Sequence, residues 1–235
     1  MDRARAHRIV LDNGWLAQQP APFQAEILAR ADILAFGRGD HAFTVGDRRG
    51  GVHGIVEGSF AVHVAATPCD GSLAHVMRPS VWFGLSPLTR RPSGSLTFRA
   101  LEPSWTLHVP ESAVEEIVRS CADAARAVAG IAEASLQIAF GVIADLLIPD
   151  ADRRIAAILL RVCGAGAESP RTAPAGCRLT QAELGEMANA SRGLVNRTLR
   201  SFETEGWVRL GYNRIAVTDI AALTAFVNAG RVAER

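Results

Sequence analysis

An α+β chain in three parts is predicted: an N-terminal β jelly roll (a double-stranded β-helix), a long helix, and a C-terminal winged helix-turn-helix. Three observations predict it. Short strands separated by turn glycines run from Ile33 to Val109, a proline-free apolar stretch runs from Cys121 to Ile148, and two capped helices followed by a hairpin fill Leu179 to Val217. The divisions fall at 1–120, 121–148 and 149–235.

With 235 residues the chain is long enough for two domains, and 49% hydrophobic against 21% charged residues is a globular composition. Net charge is +1, and all 25 basic residues are arginines, spread along the whole chain. From Asp150 onward 12 Arg stand against 9 acidic residues, so the second half is only mildly basic. The opening Met1-Asp2-Arg3-Ala4-Arg5 is charged with no apolar run behind it, so no signal peptide is expected. No stretch is read as long enough to cross a bilayer. Cys69, Cys121, Cys163 and Cys177 are far apart without a C-x-x-C pair, which argues against zinc or iron–sulfur ligation and for free, reduced thiols. His53, His63 and His75 fall in predicted strands and can meet in space, the weak basis for a metal or haem site.

Residues 9–32 read as helical, with Trp15, Leu16, Phe23, Ile27 and Leu28 as apolar positions. From Ile33 the period changes. Phe60, Val62 and Val64 alternate after Gly58, and Gly37 to Gly39, Gly50-Gly51 and Asp70-Gly71 punctuate neighbouring strands. Leu73–Met77, Val81–Leu85, Ser95–Ala100 and Trp105–Val109 continue the series. Several strands at this spacing make a sandwich or barrel, here a jelly roll, a common setting for a ligand pocket.

Pro110-Glu111 opens a helical region. From Cys121 to Ile148, Val128, Ile131, Ser135, Ile138 and Val142 recur at spacings of three and four. A second stripe of Leu136, Phe140, Ile143 and Leu147 lies beside it. One stripe can cover the barrel while the other pairs with a second copy, and the first is taken as the pairing one. A helix of about 28 residues is about 42 Å long, more than one small domain needs. Pro149-Asp150 then breaks the helix.

Thr180 and Glu183 form a capping box that opens a helix with Leu184, Met187 and Ala188 inward. After the Asn189-Ala190 turn, Ser191 caps a second helix with Val195, Leu199 and Phe202 on one face. Arg192, Gly193, Asn196, Arg197 and Arg200 lie on another, with no acid before Glu203. Gly206 stops it, and Trp207–Leu210 and Arg214–Val217 flank a Gly-Tyr-Asn turn. Such a face suits a groove lined by phosphates and base edges. Arg pairs with guanine O6 and N7, and Asn pairs with adenine. Ser191 and the free amides at that helix start suit a phosphate.

The order of parts resembles the Crp/Fnr family of bacterial transcription regulators over nearly the whole chain. Its most specific parts are Val56-Glu57-Gly58-Ser59-Phe60, Arg154-Ile155-Ala156-Ala157-Ile158-Leu159-Leu160, and Ser191-Arg192 with Arg197. The resemblance implies a cytoplasmic homodimer that binds double-stranded DNA at a near-palindromic operator and works with RNA polymerase. It implies DNA contacts from Thr180, Gln181, Ser191, Arg192, Gly193, Asn196, Arg197 and Arg200. Gly193 departs from the family, because catabolite-activator relatives carry a Glu there that accepts from cytosine.

The sensor departs further. Cyclic-nucleotide-binding members read Phe-Gly-Glu-Leu-Ala and then Arg-Ser/Thr-Ala, the Glu holding the ribose hydroxyl and the Arg the cyclic phosphate. The matching pocket positions here are Phe83, Gly84, Leu85 and Ser86, then Gly94 and Ser95. Leu85 replaces the Glu and Gly94 the Arg. A buried phosphate without its cation costs several kcal/mol. Arg90 or Arg91 could supply the cation only from a different geometry. Tight cAMP binding is therefore not expected, nor is another cofactor, and the effector is left open between another small molecule, a redox change at a thiol, and none. No nucleophile–base pair, phosphate loop or metal signature points to an enzyme. The other reading is a small-molecule-binding module with a degenerate DNA domain.

Overall fold

The computed structural model describes residues 1–43, 50–67, 70–84, 96–120, 122–163 and 176–233. They form two compact units, Met1–Gly71 with Val76–Ile138, and Ser72–His75 with Ala139–Arg235.

The first unit opens with α1 (Arg3–Asp12), capped by the Asp2 carboxylate, which accepts from the Arg5 amide. The helical segment expected over 9–32 is in fact broken. At Gly14 the backbone takes φ +86°, where a Cβ would lie 2.1 Å from the Ser80 carbonyl oxygen. A 3-10 turn at Leu16–Gln18 follows, and α2 (Ala21–Ala29) starts after Pro20. Trp15 sits at the break and accounts for it. Its indole N–H donates to the Ala127 carbonyl at 2.6 Å, and its ring packs edge-on to Phe23 and Trp82. Burying one large ring outweighs the local helical preference.

Strands β1 (Asp32–Phe36), β2 (His41–Phe43), β3 (Gly51–Glu57), β4 (Phe60–Thr67), β5 (Asp70–Met77), β6 (Trp82–Phe83), β7 (Leu96–Ala100) and β8 (Ser104–Pro110) build the jelly roll. They make two four-stranded sheets, ordered β1-β8-β3-β6 and β2-β7-β4-β5. Antiparallel registers such as Asp32↔His108 and Phe60↔Ala100 fix which residues face inward. One apolar cluster joins Ile55, Phe60, Val62, Met77, Phe83, Phe98 and Ala100. Another joins α1 and α2 to β3, β8 and the helices that follow.

Those helices are α3 (Glu111–Ser120) and α4 (Ala122–Leu146). Val128 and Ile131 of α4 are buried in a core cluster with Val10, Leu16 and Val114, and Ile138 packs on the barrel cluster. Ser135 turns its hydroxyl back to the Ile131 carbonyl at 2.9 Å, and Val142 is half-buried. Val128 and Ile131, expected on the pairing stripe, are therefore taken up by the chain's own core. The stripe of Val128, Ile131 and Ile138 covers the chain's own core, while Leu136, Phe140, Ile143 and Leu147 are 54%, 59%, 52% and 74% exposed. A second correction concerns length. Asp123–Leu146 is by length and composition apolar enough to cross a membrane, because alanines and glycines dilute its few charges.

The second unit holds α5 (Ala151–Val162), β9 (Cys177–Arg178), α6 (Gln181–Met187), α7 (Arg192–Thr204), β10 (Val208–Gly211), β11 (Arg214–Val217) and α8 (Ile220–Ala233). Asp150 caps α5, which buries Ile155, Ile158, Leu159 and Val162. The Arg154 guanidinium donates to the Ala188 carbonyl at 2.7 Å and to the Ile148 carbonyl at 2.5 Å, tying α5 to the turn after α6. Phe202, Trp207 and Phe226 pack as an aromatic triad with centroids 5.4 to 5.5 Å apart. The sheet order is β10-β11-β9.

The free-thiol expectation is corrected for two of the four cysteines. Cys163 and Cys177 are joined in a disulfide, with Cα atoms 5.5 Å apart. The end of α5 and the strand β9 return to the same place, so a separation of 14 residues in sequence becomes bonding distance. Cys69 and Cys121 lie outside the described residues.

Candidate nucleic-acid interface

The helix pair is set by its caps. Thr180 accepts from the Glu183 amide at 3.1 Å while the Glu183 carboxylate accepts from the Thr180 amide at 2.7 Å. These two bonds satisfy donors that the first turn of α6 would otherwise leave open. Leu184, Met187 and Ala188 are buried, and Asn189 turns the chain with φ 47°, a conformation Asn tolerates. The Ser191 hydroxyl accepts from the Leu194 amide at 3.3 Å and starts α7.

Helix α7 then separates its residues by side. Val195, Thr198, Leu199 and Phe202 are buried, whereas Ser191, Arg192, Gly193, Arg197 and Arg200 are exposed and Asn196 is half-buried. Among the described residues, none of Arg192, Arg197 and Arg200 makes an ion pair. Three cations on one exposed face repel each other slightly and fold nothing, so their chemistry points outward to an anion. Asn196 is held differently: its Nδ2 donates to Gln181 Oε1 at 3.0 Å. A groove of 360 Å³ opens beside them, lined by Thr180, Gln181, Arg192, Asn213 and Arg214 among others.

The hairpin supplies residues that sequence reasoning passed over. Tyr212 at its tip is 95% exposed, and Arg209 and Arg214 lie on its two strands. The signal was present, as an aromatic ring between two arginine-bearing strands. Glu203 Oε1 accepts from the Leu210 amide at 2.9 Å, and the Leu179 amide donates to the Asn213 carbonyl at 3.1 Å, so α7 and the residue that follows β9 brace the hairpin.

The expected effector pocket is described only in part. Phe83 is buried in the barrel, with ring centroids 4.6 Å from Phe98, 5.6 Å from Phe60 and 5.3 Å from His53. Gly84 turns with φ +116°, and a Cβ there would lie 2.2 Å from the Gly51 carbonyl oxygen. Leu85, Ser86, Gly94 and Ser95 fall outside the described residues. His53 meets a histidine that the sequence did not single out, His108, at 4.5 Å between centroids. It also bonds Thr106 Oγ1 at 3.1 Å through Nδ1. Burial, helped by His108, holds the His53 pKa down to about 3. Burial also lowers that of His108, against the opposing effects of the Gly50 backbone and Asp32. Both rings are neutral at neutral pH. His63 and His75 lie on the other sheet, and the described residues hold no group of three metal-ligating side chains.

Comparison with known proteins gives this geometry a context. Residues 153–226 match the Crp-like helix-turn-helix domain family. Over 225 residues the chain is 27% identical to the CRP-like cAMP-activated global transcriptional regulator of Mycobacterium tuberculosis, covering 83% of this chain and 95% of that protein. Among solved structures, FixK2 from Bradyrhizobium japonicum superposes with a TM-score of 0.67 at 19% identity, covering 83% of this chain and 96% of that one. A CRP-family transcriptional regulator from Thermus thermophilus gives 0.63 at 19% identity with the same coverage, 83% and 96%.

Proposed function

We propose that this chain, a Crp-like transcription regulator with a helix-turn-helix DNA-binding domain, binds double-stranded DNA as a homodimer at a near-palindromic operator. One observation carries the reading: α7 is capped at its start, buried on one side, and bears Arg192, Arg197 and Arg200 exposed on the other without acidic partners among the described residues. In the major groove Arg192 and Arg197 pair with guanine edges, Asn196 with adenine, and Ser191, Thr180 and Arg200 hold backbone phosphates. Gly193 offers no acceptor to cytosine, so the half-site differs from that of relatives with a Glu at this position.

The exposed stripe of Leu136, Phe140, Ile143 and Leu147, spaced by four, three and four, supports the pairing of two subunits along α4. An apolar face of this kind also suits a membrane by composition, and pairing is favoured because it presents two copies of α7 to a two-fold operator. In functional terms the chain divides into a sensor domain (1–120), a dimerisation helix (121–148) and a DNA-binding domain (149–235). RNA polymerase is the proposed protein partner and the cytoplasm the proposed location. No enzymatic step is assigned.

The M. tuberculosis relative is cAMP-activated by name. This chain lacks the Glu and Arg of the phosphate cassette, with Leu85 and Gly94 in their places. Its described barrel interior is occupied by Phe36, Phe60, Phe83 and Phe98. A sensor that does not answer to cAMP is the reading these residues support.

The experiment is selection of bound duplexes from a random pool at fixed salt, with and without cAMP. Salt is fixed because phosphate contacts make affinity steeply salt-dependent. A near-palindrome enriched equally in both arms is expected. Enrichment only with cAMP would overturn the sensor reading, and none in either arm would count against DNA reading by this domain.

A further inference from the structure

Two amides meet at the base of the candidate interface. Asn196 sits one turn beyond Gly193 on α7, and Gln181 is the first residue of α6. Asn196 Nδ2 donates to Gln181 Oε1 at 3.0 Å, and both side chains are half-buried. A terminal amide is planar, and rotation about its last torsion is broad and roughly two-fold. An isolated Asn therefore offers its oxygen or its nitrogen to the same point in space with little preference. Adenine in the major groove presents a donor, N6–H, beside an acceptor, N7, so the Asn must place its oxygen and nitrogen in one order only. The Asn nitrogen carries two hydrogens. With one given to Gln181, the other hydrogen and both lone pairs of Oδ1 are left to read the base.

We propose that Gln181 is a positioning residue that fixes the orientation of the Asn196 amide, and that the pair makes the protein select adenine at one position of its half-site. The proposal rests on the reading of α7 as the DNA-reading helix. Gly193 supports it independently. A Cβ at Gly193 would meet nothing within 4 Å, so the fold does not ask for glycine there. In the first turn of α7 the bare position leaves the neighbouring Asn196 free to approach the base edge.

The test uses the full chain and the operator recovered by selection. Base preference at each position is measured by competition at fixed salt for the wild type, Gln181→Ala, Gln181→Lys and Asn196→Ala, with thermal unfolding followed for each. The wild type is expected to prefer adenine at one position by about tenfold, the scale of a single bidentate contact. Asn196→Ala removes that preference. Gln181→Ala weakens it at the same position only, and combining Gln181→Ala with Asn196→Ala loses no more than Asn196→Ala alone. Gln181→Lys is the decisive case. Lysine only donates, so it turns the Asn196 oxygen inward and removes the adenine preference, while its charge raises affinity for every sequence. If the adenine preference survives in both Gln181 variants, with affinity falling or rising uniformly, Gln181 is a phosphate contact and the positioning proposal is overturned. A wild-type chain without any sequence preference would instead overturn the DNA-reading assignment on which it rests.

Discussion

The barrel and the winged helix handle polar groups in opposite ways. In the barrel His53 is driven neutral by burial and stacked on Phe83 within a cluster of aromatic rings. In the winged helix Arg192, Arg197 and Arg200 remain in solvent on one face of α7, with the apolar residues turned beneath. The first region uses its side chains on itself and the second keeps them for something outside. Helix α4 contains both kinds of surface, burying Val128 and Ile131 and exposing Phe140 and Ile143. Function is to be sought where charge or apolar area is left unspent by folding.

The comparison can be broken most severely at α4. If two subunits pair along α4 as proposed, Phe140→Asp is expected to yield monomers with the fold retained, and Ile131→Asp to unfold the barrel; analytical ultracentrifugation with circular dichroism separates the two. A dimer that survives Phe140→Asp would remove the pairing stripe. Next in size is Phe83→Ala, expected to destabilise the barrel by about 3–5 kcal/mol, as large-to-small changes of buried Phe do. Denaturant unfolding should show the loss in the barrel transition and leave that of the DNA-binding unit in place.

Acid should likewise act on the barrel first. The His53 pKa is lower folded than unfolded, so its contribution is fully present above pH 6.5 and declines as pH falls toward about 3. The slope is about 1.4 kcal/mol per pH unit, or about 3 kcal/mol by pH 4.5. His53→Gln should flatten that slope in thermal melts between pH 7 and 4.5, and an unchanged slope would assign the acid sensitivity elsewhere. Arg197→Ala should weaken operator binding by roughly 1–3 kcal/mol and relax one base position with the melting temperature unchanged. A drop in stability instead would make Arg197 a folding residue. Smallest is Gly193→Ala, expected to stabilise α7 by about 0.5–1 kcal/mol because glycine is a poor helix former and a Cβ there has open space. The same variant should bind operator less well in a competition assay.

The caps at Thr180 and Ser191, the buried row Val195, Leu199 and Phe202, and the exposed arginines were legible in the chain, because each depends on neighbours within about four residues. The alternation of barrel strands was legible for the same reason. Trp15 shows where that ends. A helical pattern over 9–32 lost to a hydrogen bond with Ala127, more than a hundred residues away.

By itself, then, the sequence determined the order of the barrel strands, the long helix and the capped helix pair, and which face of α7 carries arginine, since periodicity and capping are local properties of the backbone. Tertiary structure alone decided which stripe of α4 is covered, that Cys163 lies against Cys177, that His53 meets His108, and that Gln181 reaches Asn196. Each of these is a meeting of distant segments. Several pairings are compatible with the same local pattern, and the choice falls to whichever packing buries the most apolar surface while leaving each buried polar group a partner.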